Sequence, residues 1–109
     1  MRIIARSTLT RFIAKLAGRE DQHAVKFALD SWFQEVRSAK WKTSADVKAS
    51  YAHASIGADR VVFNIKGNAY RLVAAVDYRR SIVFIKWLGT HGAYDRIDVR
   101  TVQYDSEAN

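Results

Sequence analysis

The first half of the chain carries hydrophobic residues at helical spacing. Leu9, Phe12, Ile13 and Leu16 stand at i, i+3, i+4 and i+7, which places them on one helix face. Gly18 follows at a position suited to end such a helix. The pattern therefore predicts a first amphipathic helix that begins at about residue 7.

Two more helices are predicted before the chain turns to strands. The second spans roughly residues 24–39. Its apolar stripe consists of Val25, Ala28, Leu29, Trp32, Phe33 and Val36. The third, at about residues 44–51, follows Thr43-x-x-Asp46, the pattern of a capping box in which a hydroxyl and a carboxylate satisfy free backbone donors. A short strand at Arg2–Ile4 precedes all three helices.

The second half of the chain alternates with a period of two, which is typical of half-buried strands. Three strands are predicted, at residues 60–66, 70–76 and 82–88. Gly67-Asn68 has the composition of the two central residues of a tight hairpin turn. That turn fixes how the first two strands pair.

The predicted hairpin sorts the side chains of its two strands onto opposite faces. The face expected to meet the helices consists of Val61, Phe63, Ile65, Tyr70, Leu72, Ala74 and Val76. The face left for a ligand carries Arg60, Val62, Asn64, Lys66, Arg71, Val73 and Ala75. A slip by one residue would bury Arg71 and expose Leu72, so the hydrophobic pattern specifies this register.

The order of the elements predicts the fold class. A short strand, two to three helices and then an antiparallel meander indicate an α+β fold with the helices on one sheet face. The segment 52–59 is interpreted as a loop, and residues 106–109 as a frayed tail. A chain of 109 residues is expected to form one domain, spanning 1–109.

Positive charge is concentrated between residues 60 and 91. Asp77 is the one acid in that segment, which holds a net +5 of the chain's formal +7. Its basic residues are Arg60, Lys66, Arg71, Arg79, Arg80 and Lys86. A basic sheet surface suits a polyanion, and RNA is the natural candidate. The residues predicted to bind RNA are Arg60, Asn64, Asn68 and Lys86.

The face occupied by Lys86 depends on the turn before it. A two-residue turn at Arg79-Arg80 places Lys86 opposite Val73, on the same face as Arg71. A three-residue turn places it on the other face. The sequence leaves both arrangements open.

Several other chemistries are disfavoured. The chain has no cysteine, which excludes disulfides and thiolate catalysis. Asp77 and Asp95 are the only acids near the basic face, and the histidines lack zinc-like spacing, so no metal or other cofactor is expected. The start of the chain does not resemble a signal peptide, and no apolar run approaches the roughly 20 residues of a membrane span. A cytoplasmic protein without membrane contact is the expectation.

Metal-free cleavage of RNA needs few groups, because the RNA supplies its own 2′-hydroxyl nucleophile. The protein must take that proton, stabilise the phosphorane-like transition state and protonate the leaving 5′-oxygen. His91 is the favoured acid, and Lys66 or Tyr94 the favoured base or its orienting partner. The alternatives are a loop histidine without a role and a tyrosine that only packs. His53 precedes the strands and is not assigned to the site.

Four segments resemble one known family. They are ARSTL near the start, WKTSADVKASYAHAS (41–55), RVVFNIKGNAYRLV (60–73) and FIKWLGTHGAYDRID (84–98). They are similar, in order, to the HigB-type toxins of bacterial toxin–antitoxin modules, within the RelE superfamily. The combination of GNxYRLV with GTHxxYDxID is the specific part of the match. Relatives often have proline at the position of Ser44 and a longer basic side chain at that of Ala69.

The resemblance implies a RelE-like α+β fold and ribosome-dependent, metal-free cleavage of mRNA in the A site. It also implies an antitoxin of the HigA type, a helix-turn-helix protein whose complex with the toxin binds operator DNA. By similarity, Arg71 matches the phosphate-binding arginine and Lys66 a strand lysine. His91 and Tyr94 fall where the C-terminal catalytic residues lie. The predicted catalytic set is therefore Lys66, Arg71, His91 and Tyr94.

Two other functions remain open from the residues alone. A basic module that holds RNA or blocks the ribosome without cutting would need the same charged face but not His91 and Tyr94. A DNA-binding regulator is less favoured, because no helix with a basic reading face is visible. The endoribonuclease is the leading interpretation.

Overall fold

The computed structural model describes residues 1–57 and 59–103, which form a five-stranded sheet with three helices packed on one face. In chain order the elements are β1 (Arg2–Ile4), α1 (Arg6–Lys15), α2 (Gln22–Ser38), α3 (Ser44–Ser50), β2 (Ser55–Gly57), β3 (Arg60–Ile65), β4 (Tyr70–Asp77), β5 (Ile82–Thr90) and α4 (His91–Tyr94). The strand order is β1-β5-β4-β3-β2, with β1 parallel to β5 and the other neighbours antiparallel. The predicted α+β class is confirmed. The predicted tail at 106–109 lies outside the described residues.

The three N-terminal helices form where the sequence predicts them. Leu9 and Phe12 of α1 are buried, and Gly18 after it has φ +86°, a left-handed conformation that favours glycine. Thr43 and Asp46 form the predicted capping box at the start of α3. The Thr43 hydroxyl accepts from Asp46 N at 3.4 Å, and the Asp46 carboxylate accepts from Thr43 N at 3.2 Å.

The β3–β4 hairpin has the predicted register. Asn64 pairs with Arg71, and Ala69 N donates to Lys66 O across the turn at 3.2 Å. The strand ends at Ile65 rather than at Lys66, because Lys66 has φ +51° and leaves the extended conformation. The alternation of faces therefore does not extend to Lys66.

The prediction of a loop at 52–59 is wrong in its middle. Ser55–Gly57 forms β2, which pairs with β3 and is an edge strand of the sheet. The segment is short and its side chains are exposed, so it has no hydrophobic alternation to show in the sequence. Its pairing nevertheless brings His53, two residues before it, to the edge of the sheet.

Neither predicted turn between β4 and β5 is found. Asp77 pairs with Ile82, which leaves a connection of residues 78–81, and the Asp77 carboxylate accepts from the Arg80 backbone at 3.0 Å. A bulge then shifts the register, so Trp87 rather than Lys86 lies opposite Val73. The extra residue of a bulge is unpaired, and here it is Lys86.

The sheet carries a core on each of its faces. The larger core lies between the helices and the inner face and includes Val25, Leu29, Phe63, Leu72 and Val83. The smaller core lies on the outer face, where Val62, Val73 and Trp87 are buried beneath the segment that follows β5. That segment contributes Ala93, Tyr94, Ile97, Val99 and Val102.

The outer face was expected to be left for a ligand, and the smaller core corrects that expectation. The C-terminal segment covers its middle because three apolar side chains meet there. Gly89 makes room for the packing, since a β-carbon at that position would overlap the Trp87 ring. The part that stays accessible is the end of the face near Asn64 and Arg71, both half-buried.

Candidate functional site

Arg71 is the centre of the cluster at the accessible end of the outer face. Its Nη1 donates to the side-chain oxygen of Asn64, and its Nη2 lies 3.0 Å from Nδ1 of His91. Its guanidinium carbon stands 5.5 Å from the centre of the Tyr94 ring. Its Nε is buried and has no hydrogen-bond partner among the described residues. The guanidinium is held in place, and its Nε–H stays without a partner among the described residues.

Backbone pairing explains why these side chains meet. Asn64 and Arg71 are directly opposite each other in the β3–β4 ladder. β5 runs beside β4 until Thr90, whose hydroxyl accepts from Ala93 N and caps α4. His91 N donates to Ala69 O at 3.0 Å, which fixes the single turn of α4 over the hairpin end. The strand pairing that forms the sheet thus also assembles the cluster.

The contact with Arg71 fixes which nitrogen of the neutral His91 ring carries the proton. A guanidinium only donates hydrogen bonds, so Nδ1 of His91 accepts and the ring proton is at Nε2. Nε2 lies 3.7 Å from the Asp95 carboxylate, and the side chain is 45% exposed. The ring is therefore both oriented by the protein and reachable from solvent.

A cleft of about 240 Å³ opens beside this cluster. Its lining comes from three strands, from α4 and from the loop before β2: His53, Ser55, Val62, Asn64, Arg71 and Tyr94. The Tyr94 ring lies 6.4 Å from the Trp87 ring, which anchors it to the smaller core. One imidazole, a phenol and a guanidinium therefore line one small cleft, and a second imidazole, that of His91, contacts the guanidinium. These groups can move protons and stabilise a phosphate.

Residues 25–97 match the family model of HigB toxins, the RelE-like toxic components of toxin–antitoxin systems. The chain belongs to the HigB toxin family. No curated protein matches it. The matched range contains every residue of the cleft lining, and membership in this family implies an antitoxin as partner.

His53 is the residue of this HigB-family site that the sequence prediction left out. It is exposed and lines the 240 Å³ cleft together with Arg71. It also borders a larger adjoining cleft of about 580 Å³, where Asn64 and Asn68 are part of the lining. Only the pairing of β2 with β3 brings His53 to this place, and the short exposed β2 gave no pattern from which to predict it.

Arg60 lies away from the cleft lining. Its side chain is buried, and its Nη1 donates to the carbonyl oxygens of Val99 at 3.2 Å and Val102 at 2.5 Å. It holds the C-terminal segment of the toxin against β3. The expectation that it binds RNA finds no support in this position.

Lys66 and Lys86 also stand outside the 240 Å³ cleft. Lys66 is exposed at the hairpin turn, and its charge contributes to the lowered pKa of Asp21, after the hydrogen bonds from Tyr70 and Arg19. Lys86 lies on the bulge, with its Nζ 5.5 Å from the centre of the Phe84 ring. Their predicted roles in catalysis and RNA binding stay predictions.

The described ranges contain no group of three or more His, Cys, Asp and Glu side chains arranged to hold a metal ion. No helix within residues 1–57 and 59–103 has the length and apolar character to cross a membrane.

Proposed function

We propose that this HigB-family toxin is an mRNA endoribonuclease that acts on the translating ribosome, in the cytoplasm. The observation that carries the proposal is the placement of Arg71 among His53, His91 and Tyr94 at a cleft of about 240 Å³. We propose that the cleft holds a phosphate group of a single extended strand. The net charge of +7 favours the approach of a polyanion.

Arg71 is proposed to bind the scissile phosphate. Its Nη atoms are held by the neutral side chains of Asn64 and His91, which a phosphate can replace. A guanidinium forms paired, charge-assisted hydrogen bonds with phosphate oxygens. As the pentacoordinate transition state gains negative charge, those bonds strengthen, and the barrier falls.

His53 and His91 are proposed to transfer the protons. One imidazole takes the proton of the 2′-hydroxyl while its oxygen attacks phosphorus. The other gives a proton to the 5′-oxygen as the P–O5′ bond breaks, which leaves a 2′,3′-cyclic phosphate and a free 5′-hydroxyl. We assign the base to His53 and the acid to His91, which gives a proton from Nε2 as the imidazolium after the phosphate has replaced its Nδ1 as the partner of Arg71. Tyr94 stacks beside Arg71 and orients the phosphate, and Lys66 and Tyr94 remain the alternative bases.

The antitoxin is proposed to be of the HigA type, a helix-turn-helix protein through which the complex binds operator DNA. The proposal rests on the family of the toxin and on its basic surface. A HigA-type antitoxin would bind and neutralise this toxin. We therefore expect co-expression of the neighbouring antitoxin gene to restore the growth that the toxin alone stops.

The test of the proposed function is cleavage of a defined mRNA on purified, programmed ribosomes. We expect a cut in the A-site codon, a cyclic phosphate at the new 3′ end and no cut of the same mRNA free in solution. Cleavage should continue with chelator at a magnesium level that keeps the ribosomes intact. Tight ribosome binding without any cut would refute the enzymatic function and favour the alternative, a non-catalytic module that blocks the ribosome.

A further inference from the structure

Lys48 ties down the segment that carries His53. Residues 51–54 connect α3 to β2, and we call them the His53 loop. The ammonium group of Lys48 donates to the carbonyl oxygens of Ala52 and Ala54, both at 2.8 Å. These carbonyls belong to the residues on either side of His53. One side chain therefore bridges the backbone around the histidine that the proposed mechanism uses as its base.

A third hydrogen bond completes the hold on this backbone. Ala54 N donates to Tyr51 O at 3.0 Å, between the two carbonyls that Lys48 engages. The three bonds involve three successive peptide units, which are 52–53, 53–54 and 54–55. Because the planar units before and after His53 are both held, the direction in which its side chain leaves the backbone is fixed. Only rotations about the side-chain bonds remain.

The His53 loop is anchored at both ends and exposed in its middle. The ring centre of Tyr51 lies 5.1 Å from that of Phe63, and Ala54 is buried in the larger core. His53 itself is exposed between them. The direction of its ring therefore depends on the backbone of the loop rather than on close packing around the imidazole.

The position of Lys48 suits this structural contact better than a contact with RNA. It stands in the last turn of α3, outside the linings of the clefts of about 240 Å³ and 580 Å³. An ammonium group has three donors, and the two loop carbonyls occupy two of them. The cation is therefore engaged by the protein before any substrate arrives.

We propose that Lys48 is a positioning residue for the cleavage reaction, which holds the His53 loop so that the imidazole stays in the cleft beside Arg71. The inference rests on the proposed function, in which His53 takes the 2′-hydroxyl proton. A general base must lie within hydrogen-bond reach of that proton, and a displacement of about 1 Å can cost about 100-fold in rate. Lys48 acts on the rate through His53 and does not touch the RNA.

The test uses two substitutions of Lys48 and one matched control. Lys48→Met removes the donors but keeps an unbranched side chain, and Lys48→Arg keeps a cation with several donors. Lys26→Met is the control, because Lys26 is an exposed lysine of α2 that pairs with Asp30 and lies outside both clefts. Lys48→Met is also combined with His53→Gln. Thermal melting confirms that each variant is folded.

The first measurement reports on the loop without ribosomes. Backbone order parameters of the His53 and Ala54 amides, from NMR relaxation, should be about 0.85 in the wild type and below about 0.6 in Lys48→Met. Lys48→Arg and Lys26→Met should both keep the wild-type values. Unchanged order parameters in Lys48→Met would overturn the proposal, because the ammonium group would not be what holds the loop.

The second measurement is single-turnover cleavage at saturating programmed ribosomes. Lys48→Met should be slower by roughly 10–100-fold, with the Kd for ribosomes within about twofold of wild type. Lys48→Arg should restore most of the rate, and Lys26→Met should leave it unchanged. In the His53→Gln background, Lys48→Met should cost less than about twofold more, because the group that Lys48 positions is already absent.

Equal losses from Lys48→Met in both backgrounds would overturn the proposal, since Lys48 would then act independently of His53. So would weaker ribosome binding with an unchanged rate at saturation, which would make Lys48 an RNA contact. His53→Gln that cuts at the wild-type rate would leave no base to position and would overturn the proposal while the enzymatic function stands. A wild-type toxin that binds ribosomes but never cuts would refute the enzymatic function itself, and the positioning role with it.

Discussion

Nη2 of Arg71 lies 3.0 Å from Nδ1 of His91, a distance at which the guanidinium donates a hydrogen bond to a neutral imidazole. An imidazolium carries a proton on both nitrogens, so two donors would then face each other. A phosphate that takes over the donors of Arg71 frees Nδ1 of His91 to accept a proton. In the proposed mechanism, substrate binding therefore releases the acid from its contact with Arg71.

His91→Gln should slow single-turnover cleavage on programmed ribosomes by roughly 10²–10⁴-fold with ribosome binding almost unchanged. Glutamine can accept from Arg71 as the imidazole does, but it cannot transfer a proton. The matched control is His23→Gln, on the exposed start of α2. Cleavage by His91→Gln at the wild-type rate would reduce His91 to a residue that positions Arg71.

Arg71→Ala should abolish toxicity while the protein stays folded, because the side chain points away from the main core. Growth arrest on expression and thermal melting of the purified protein give the two readouts. Arg79→Ala removes an equal charge from the exposed β4–β5 turn and should leave toxicity intact. A folded Arg71→Ala variant that still stops growth would exclude Arg71 from the site.

His53→Gln and Tyr94→Phe separate two of the three candidates for the base, of which Lys66 is the third. If His53 takes the 2′-hydroxyl proton, its replacement should lower the rate by roughly 10²–10⁴-fold, whereas Tyr94→Phe, which keeps the ring beside Arg71 and Trp87, should cost much less. The rate is measured at saturating ribosomes so that binding does not contribute. The reverse order of effects would assign the base to Tyr94.

Arg60→Ala tests whether this arginine is structural. The side chain is 8% exposed and donates to two carbonyls of the C-terminal segment, so its loss should lower the free energy of unfolding by about 2 kcal/mol. Chemical denaturation measures that change, with Arg79→Ala as the exposed control. Cleavage by the folded fraction should persist. An Arg60→Ala variant with unchanged stability but weaker RNA binding would instead support the RNA contact predicted from the sequence.

The sequence predicts the parts of this toxin in which local pattern and burial agree. The helices and the β3–β4 register were predictable because an apolar face specifies each of them, and the capping box because Thr43 and Asp46 stand three residues apart. The register alone placed Asn64 beside Arg71. Much of the site therefore follows from which side of a strand must be buried.

The features that were missed depend on contacts between distant segments. The bulge at Lys86 changes the register without changing the apolar pattern, and β2 is too short and exposed to show one. Arg60 carries the same charge as a ligand-binding arginine, and only the fold of residues 99–102 over β3 buries it. The charged residues of the sequence thus identify a basic half of the chain, but they do not show which of its cations are exposed to a ligand.

Tyr70→Phe should make the toxin less stable at neutral pH, and the difference from wild type should shrink in acid. Tyr70 Oη donates to the Asp21 carboxylate at 2.5 Å, and this bond, followed by that from Arg19, holds the pKa of Asp21 below its ordinary value of 3.8. A carboxyl group with a lowered pKa stabilises the fold above pH 3.8 and loses that contribution as the pH falls through its folded-state value. Phenylalanine keeps the edge contact with Phe12 but not the donor. Thermal melting from pH 7 down to pH 3 measures the effect, with Tyr78→Phe as a half-buried control. A constant difference across that range would show that the Asp21–Tyr70 bond does not couple stability to pH.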